Sequence, residues 1–306
     1  MKRLGSLLLL VACRRSPTAA LSWRESWEML VFTDSGGIVD ARVTVGNTGL
    51  LRGQGHLRFD HWPEDESPVL LSRDAAPEAV QVSLARDQVW IGTDLFSQEE
   101  DQPGRWYVRT SSPGASGLMH VEPGGPTPAP AAWQEGGGQW TVTAPVTLGA
   151  ATGWVEAGQR GGSQRGRGVV LHRAGDGWPG LPRQAAFVLG SGLAVGIDRQ
   201  GAGQLAWAEV DGRSLDTSSA KLSFPQRGPV ELDLRPAADL QVEIKRRGRS
   251  GRRAPYTHLN PAELWLLSEV TAIPRRHVQK GHATVTFEGH VLPAPAILLW
   301  VDDRGD

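Results

Sequence analysis

Apolar and polar residues alternate with a period of two in short segments separated by turn residues along most of this chain. Such alternation puts apolar side chains on one face of a β-strand and polar ones on the other. In "IVDARVTVG" (38–46), Ile38, Asp40, Arg42 and Thr44 oppose Val39, Ala41, Val43 and Val45. In "EAVQVSL" (78–84), Val80, Val82 and Leu84 share a face, and "ARD" turns the chain into "QVWIGTD" (88–94), which predicts a hairpin. "WEMLVFT" (27–33), "QWTVTAPVTL" (139–148), "GWVEAGQ" (153–159) and "RGVVLHR" (167–173) continue the pattern. So do "AAFVLG", "LAVGID", "QLAWAEV", "PVELDL", "LQVEIKR", "HATVTFEG" and "AILLWVD". Many short strands with few helices predict an all-β chain of antiparallel barrels or sandwiches.

The best helix candidate is "NPAELWLLSEV" (260–270), with Asn260 as cap, Pro261 at the first helical position and Glu263 completing a capping box. A strand through "LWLLSEV" is the alternative. "EPGGPTPAPAAWQEGGG" (122–138) reads as a long surface loop. "KRRGRSGRR" (245–253), with six positive charges, reads as a basic link between two strands, suited to anionic lipid head groups.

Composition narrows the function classes. The formal net charge of −1 gives no field to attract nucleic acid or acidic substrates. Twelve tryptophans against two tyrosines suit a core or an apolar ligand cavity. The single cysteine, Cys13, excludes an intramolecular disulfide and a cysteine-based zinc site. It ends "MKRLGSLLLLVAC", a basic start and an apolar stretch followed by Leu10-Val11-Ala12-Cys13, which resembles a bacterial lipoprotein signal. The expectation is lipidation at Cys13, with residues 1–22 as signal and tether and the body in the cell envelope. Arg14 rather than aspartate after the cysteine favours the outer membrane, facing the periplasm.

Three stretches carry a family resemblance. "WEMLVFTDSGGIVDARVTVGNTGL", "GWVEAGQRGGSQRGRGVVLHRAGDGW" and "AAFVLGSGLAVGIDRQGAGQLAWAEVDGRSL" resemble the carotenoid 1,2-hydratase/AttH-like family. They are similar to its opening hairpin, the end of its first barrel and the start of its second. The resemblance implies two tandem lipocalin-like antiparallel β-barrels with one or two short helices, at 23–179 and 180–306. Gly166, Gly168 and His172 match the family's Gly-x-Gly strand and histidine, while Leu171 stands where the family has aspartate.

On a strand, His172 and Val170 share a face, opposite Val169 and Leu171. His172 is expected to point inward or into the cleft between the barrels, beside space left by Gly166 and Gly168, with its neutral imidazole bonded to a backbone carbonyl or a carboxylate. The expected ligand-binding set is His172 with Trp27, Trp90, Trp154, Trp207 and Trp265. Glu28, Asp94, Glu156 and Glu209 are candidates for a buried neutral acid, which protonation of an isoprenoid double bond requires. The pairs His56/His61 and His277/His282 are each five apart, so a continuous strand separates them, and neither a metal nor a cofactor is expected. Three functions compete: an envelope-anchored, monomeric binder of a hydrophobic small molecule, a hydratase- or cyclase-type enzyme, and a structural lipoprotein without ligand.

Overall fold

The computed structural model describes residues 23–48, 51–83, 87–135, 137–158, 160–176, 182–253 and 275–302. Cys13, Trp265 and the helix candidate at 260–270 lie outside these residues.

Twelve antiparallel strands form the first sheet. They are β1 (Arg24–Thr33), β2 (Ile38–Thr48), β3 (Leu51–Trp62), β4 (Val69–Ala75), β5 (Val80–Ser83), β6 (Gln88–Ile91), β7 (Asp94–Gln98), β8 (Trp106–Ser112), β9 (Ala115–Val121), β10 (Ala131–Glu135), β11 (Gly138–Ala157) and β12 (Arg160–Gly175). Their order is β4-β3-β2-β1-β12-β11-β9-β8-β7-β6-β5, with β10 beside β11. The two ends of this path meet to make a nearly closed barrel. A β-carbon at Gly55 of β3 would stand 2.7 Å from Val80 and 2.2 Å from Ile91, so only glycine permits that approach. Arg73 of β4 reaches across the seam to Asp94 of β7 at 2.7 Å.

The second sheet holds β13 (Arg183–Gly190), β14 (Leu193–Gln200), β15 (Gly203–Val210), β16 (Arg213–Ser214), β17 (Lys221–Ser223), β18 (Val230–Asp233), β19 (Leu240–Arg253), β20 (Arg275–Phe287) and β21 (His290–Asp302). Its order, β16-β15-β14-β13-β21-β20-β19-β18-β17, leaves a half-barrel whose edge strands β16 and β17 are unpaired with each other. The molecule is thus all-β, with two tandem lipocalin-like barrels.

The period of two sorts each strand's residues between two cores. Trp27, Met29 and Val31 of β1 point into the first barrel with Val39, Val43, Phe59 and Val170. Leu30 of β1, Ile38, Val169 and Leu171 face the other way and meet Phe187, Leu189, Trp207, Ile297 and Leu299 of the second sheet. The two barrels therefore share an apolar seam. The concave face of the second sheet holds its own core, including Val188, Ile197, Leu232 and Leu298.

Several sequence expectations change in detail. Residues 139–148 and 153–157 belong to one long strand, β11, whose register shifts around Pro145, where the missing N–H is tolerated. The supposed loop at 122–138 contains β10, and Trp133 stacks on Trp140 across the pair at 6.5 Å. The basic segment 245–253 is itself strand, paired with β20 through a register shift between Arg247 and Gly251.

Candidate functional site in the first barrel

β1 and β12, the first and last strands of the barrel, are neighbours, and Trp27 is directly opposite His172. Directly opposite residues share a face, so the His172 ring lies inside the barrel, stacked on Trp27 at 4.7 Å with 12° between planes. Glu25, two residues before Trp27, shares that face. It is 2% exposed, and its Oε1 accepts a 2.7 Å hydrogen bond from His172 Nε2. The side chain of His172 is 16% exposed, so the pair stands at the edge of the interior rather than deep in it.

Spare hydrogen-bonding capacity is found here, as it is at Trp207 and Arg173 in the seam; what sets this place apart is that it adjoins the His172–Glu25 pair. The indole N–H of Trp27 is buried and has no partner among the described residues, and the same holds for Trp106 in the same interior cluster. Within the described residues His172 makes its one side-chain hydrogen bond through Nε2, which leaves Nδ1 for another molecule. Asp87 adds a second carboxyl. It sits in a left-handed turn (φ 45°), and burial raises its pKa; the charge of Glu25 adds to this and His172 opposes it.

Gly166 and Gly168 do not leave open space. A β-carbon at Gly166 would lie 2.1 Å from the Phe32 carbonyl, and one at Gly168 would crowd Leu30, Val31 and Val121. These glycines let β1 and β9 close against β12, and the room beside His172 is not theirs.

The expected tryptophans separate. Trp27 is in the site. Trp207 is buried in the seam, stacked on Phe187 at 5.6 Å. Val89 and Ile91 take the inward positions of β6, so Trp90 points outward, under Arg109 at 5.9 Å. Val155 faces in from β11, so Trp154 also faces out. Alternation alone does not tell which face a barrel encloses.

The acids proposed from sequence lie elsewhere as well. Glu28 faces the seam, where Arg183 donates at 2.8 and 2.5 Å and Arg276 at 2.7 Å. Burial pushes its pKa up, but the guanidinium charges outweigh this and hold it well below the usual carboxylate range. It is an ionised partner, not a neutral acid. Asp94 accepts from Arg73, Thr110 and the Ser111 N–H. Glu156 is exposed and Glu209 half-buried. Glu25 and Asp87 are the acids that sequence reasoning passed over. For Glu25 a signal existed, because it shares the parity of Trp27.

The histidines five apart sit on opposite faces. His61 takes the inward parity of Leu57 and Phe59, and His56 bonds Asp74 on the other side at 2.6 Å. Among the described residues no group of three potential metal ligands gathers.

The architecture is that of tandem lipocalin-like proteins. CghA, an AttH-type protein and kievitone hydratase share it. CghA superimposes with a TM-score of 0.66 at 12% identity, covering 95% of this chain and 91% of that one. Kievitone hydratase from Nectria haematococca gives 0.56 at 6% identity, covering 92% and 89%. An AttH-type protein of Nitrosomonas europaea gives 0.54 at 10% identity, covering 91% and 92%. At such identities the likeness is one of fold. No family model matches the sequence, and no curated protein matches it significantly.

Proposed function

We propose that this chain is an envelope-tethered lipocalin-like protein whose first barrel takes an apolar small molecule, a lipid or isoprenoid, with its polar end at Glu25, Trp27 and His172. One observation carries the reading: a buried carboxylate holds an imidazole flat on a tryptophan, while His172 Nδ1 and the Trp27 N–H keep unspent hydrogen-bonding capacity. A buried donor without a partner costs about 1–3 kcal/mol, and a ligand oxygen would recover that. Titration with farnesol and with phospholipid, read by tryptophan fluorescence, should saturate. A flat response to both would sink the reading. Tethering through Cys13 is tested separately: Cys13→Ser should move the protein from the membrane fraction to the soluble one, and a variant that stays with membranes would refute it.

The dyad favours a second reading, hydration of a double bond. Asp87, whose pKa burial raises, would in its protonated form give its proton to one alkene carbon. His172 Nδ1 would take a proton from water, whose hydroxyl adds to the other carbon, and solvent would return that proton to Asp87. A carboxylate behind an imidazole suits this role because it stabilises the charged ring. The fold shared with kievitone hydratase is consistent with it. Incubation with farnesol in isotopically heavy water should yield a product that has gained one labelled water, and binding without turnover would leave only the first reading.

A further inference from the structure

The second barrel has an aromatic and cationic cluster at its open end. Trp300 of β21 follows the inward parity of Ala296 and Leu298 and packs on the concave core. His277 stacks on it at 4.8 Å with 2° between planes, and Phe224 leans on it at 5.9 Å. One guanidinium covers Phe224, and a second bonds the backbone two residues before it. Arg246 lies over its ring at 5.3 Å and donates to the carbonyls of Pro225, at 2.6 Å, and Gly228. Arg199 donates to the Leu222 carbonyl at 3.3 Å and to Gln184 Oε1 at 2.5 Å. Gln184 is directly opposite both Trp300 and Arg199, so these groups form one row across the sheet.

Neither guanidinium has a carboxylate partner among the described residues, and both are half-buried. Arg73 rests on Asp94 and Arg105 on Glu99 and Glu122, whereas half-buried Arg167 donates to the Gly190 carbonyl. Burial alone makes the Arg246 proton easier to lose, with no opposing charge to hold it. A guanidinium has five N–H donors in a planar fork matched to a carboxylate. Carbonyls occupy only part of that capacity here, and the neighbouring surface is aromatic.

We infer that this end of the second barrel is a binding site, separate from the first barrel, for an apolar or aromatic carboxylate, its acid group between Arg199 and Arg246 and its body on Phe224 and Trp300. The inference does not depend on the first-barrel reading.

Calorimetric titration with 1-naphthoate and its neutral counterpart 1-naphthalenemethanol tests it on the unaltered chain. The acid should bind one to one and roughly tenfold or more tighter than the alcohol, the value of a charge-assisted hydrogen bond. Arg246→Gln and Arg199→Gln should each weaken the acid by a similar factor and leave the alcohol unchanged. Arg213→Gln, at an exposed ion pair with Glu288, should change neither. Equal affinity for acid and alcohol, no binding of the acid, or full affinity in Arg246→Gln would each overturn the inference. Loss of acid binding in Glu25→Gln but not in Arg246→Gln would also overturn it, by placing the ligand in the first barrel, and would leave the function proposed there standing.

Discussion

Two carboxylates three residues apart on β1, Glu25 and Glu28, are equally buried at 2% exposure, yet they sit in opposite kinds of surroundings. Glu28 points into the seam. There Arg183 bridges it to Asp198, Arg276 bridges it to Asp40, and Arg173 completes the network at Asp198 and Gln200. Each of these three carboxylates has at least one guanidinium. Glu25 points into the first barrel, meets one imidazole and leaves neighbouring donors unsatisfied. Buried polar groups that satisfy one another hold structure together; those that leave capacity unspent are where a ligand belongs. The seam's carboxylates are of the first kind, although Arg173 Nε and the Trp207 N–H have no partner there among the described residues; at the mouth of the first barrel the partnerless Trp27 N–H is stacked against a histidine with a ring nitrogen to spare.

The largest effect should come from breaking the seam. Glu28→Ala would leave Arg183 and Arg276 with less counter-charge, and removing one partner of a buried pair costs about 3–5 kcal/mol. Denaturant unfolding should show that loss. A change below about 1 kcal/mol would mean the network is not what joins the barrels.

Acid gives a second, smaller test on the barrel wall. Burial raises the pKa of Asp74, but the hydrogen bond from His56 and the charge of Arg58 outweigh it and hold the group at about 2. Because the folded value is the depressed one, its stabilisation is present above the ordinary aspartate value, about 3.9, and fades as pH falls through the folded value. Asp74→Asn should therefore cost about 1–2 kcal/mol at neutral pH and progressively less between about pH 4 and 2. A cost independent of pH across that window would contradict the assignment. Glu28 carries the same sign, so acid should also loosen the seam once pH falls well below the ordinary glutamate range.

Much of this was legible in the sequence, and the rest was hidden for physical reasons. Alternation located most strands, and parity put His172 on the face of Val170, while leaving open whether that face met the interior or the cleft between the barrels. The same rule applied to "ESWEML" would have set Glu25 beside Trp27. The seam was not legible, because Glu28, Arg173 and Arg183 occupy positions that on a single barrel would face solvent. Only a second sheet laid over them buries them. Asp87 had no signal, as its role comes from where a turn lands after the barrel closes. Pro and Gly around 122–138 hid β10 because those residues disfavour strands on average, while Ala131–Glu135 pairs where neither occurs.

The smallest effects belong to the outward tryptophans. Trp90→Phe and Trp154→Phe should each change stability by no more than about 0.5 kcal/mol and leave farnesol affinity intact. A large loss of affinity in either would move the site to the outer wall.

The most direct test of the contrast is a pair of variants, Glu25→Gln and His172→Gln, each measured for farnesol affinity and unfolding free energy beside the unaltered chain. The account predicts at least a roughly tenfold loss of affinity in each, with folding weakened by no more than about 1–2 kcal/mol, the range of a single hydrogen bond. Unchanged affinity in both variants, or destabilisation on the scale expected for Glu28→Ala, would contradict it, because the mouth of the barrel would then be one more structural contact.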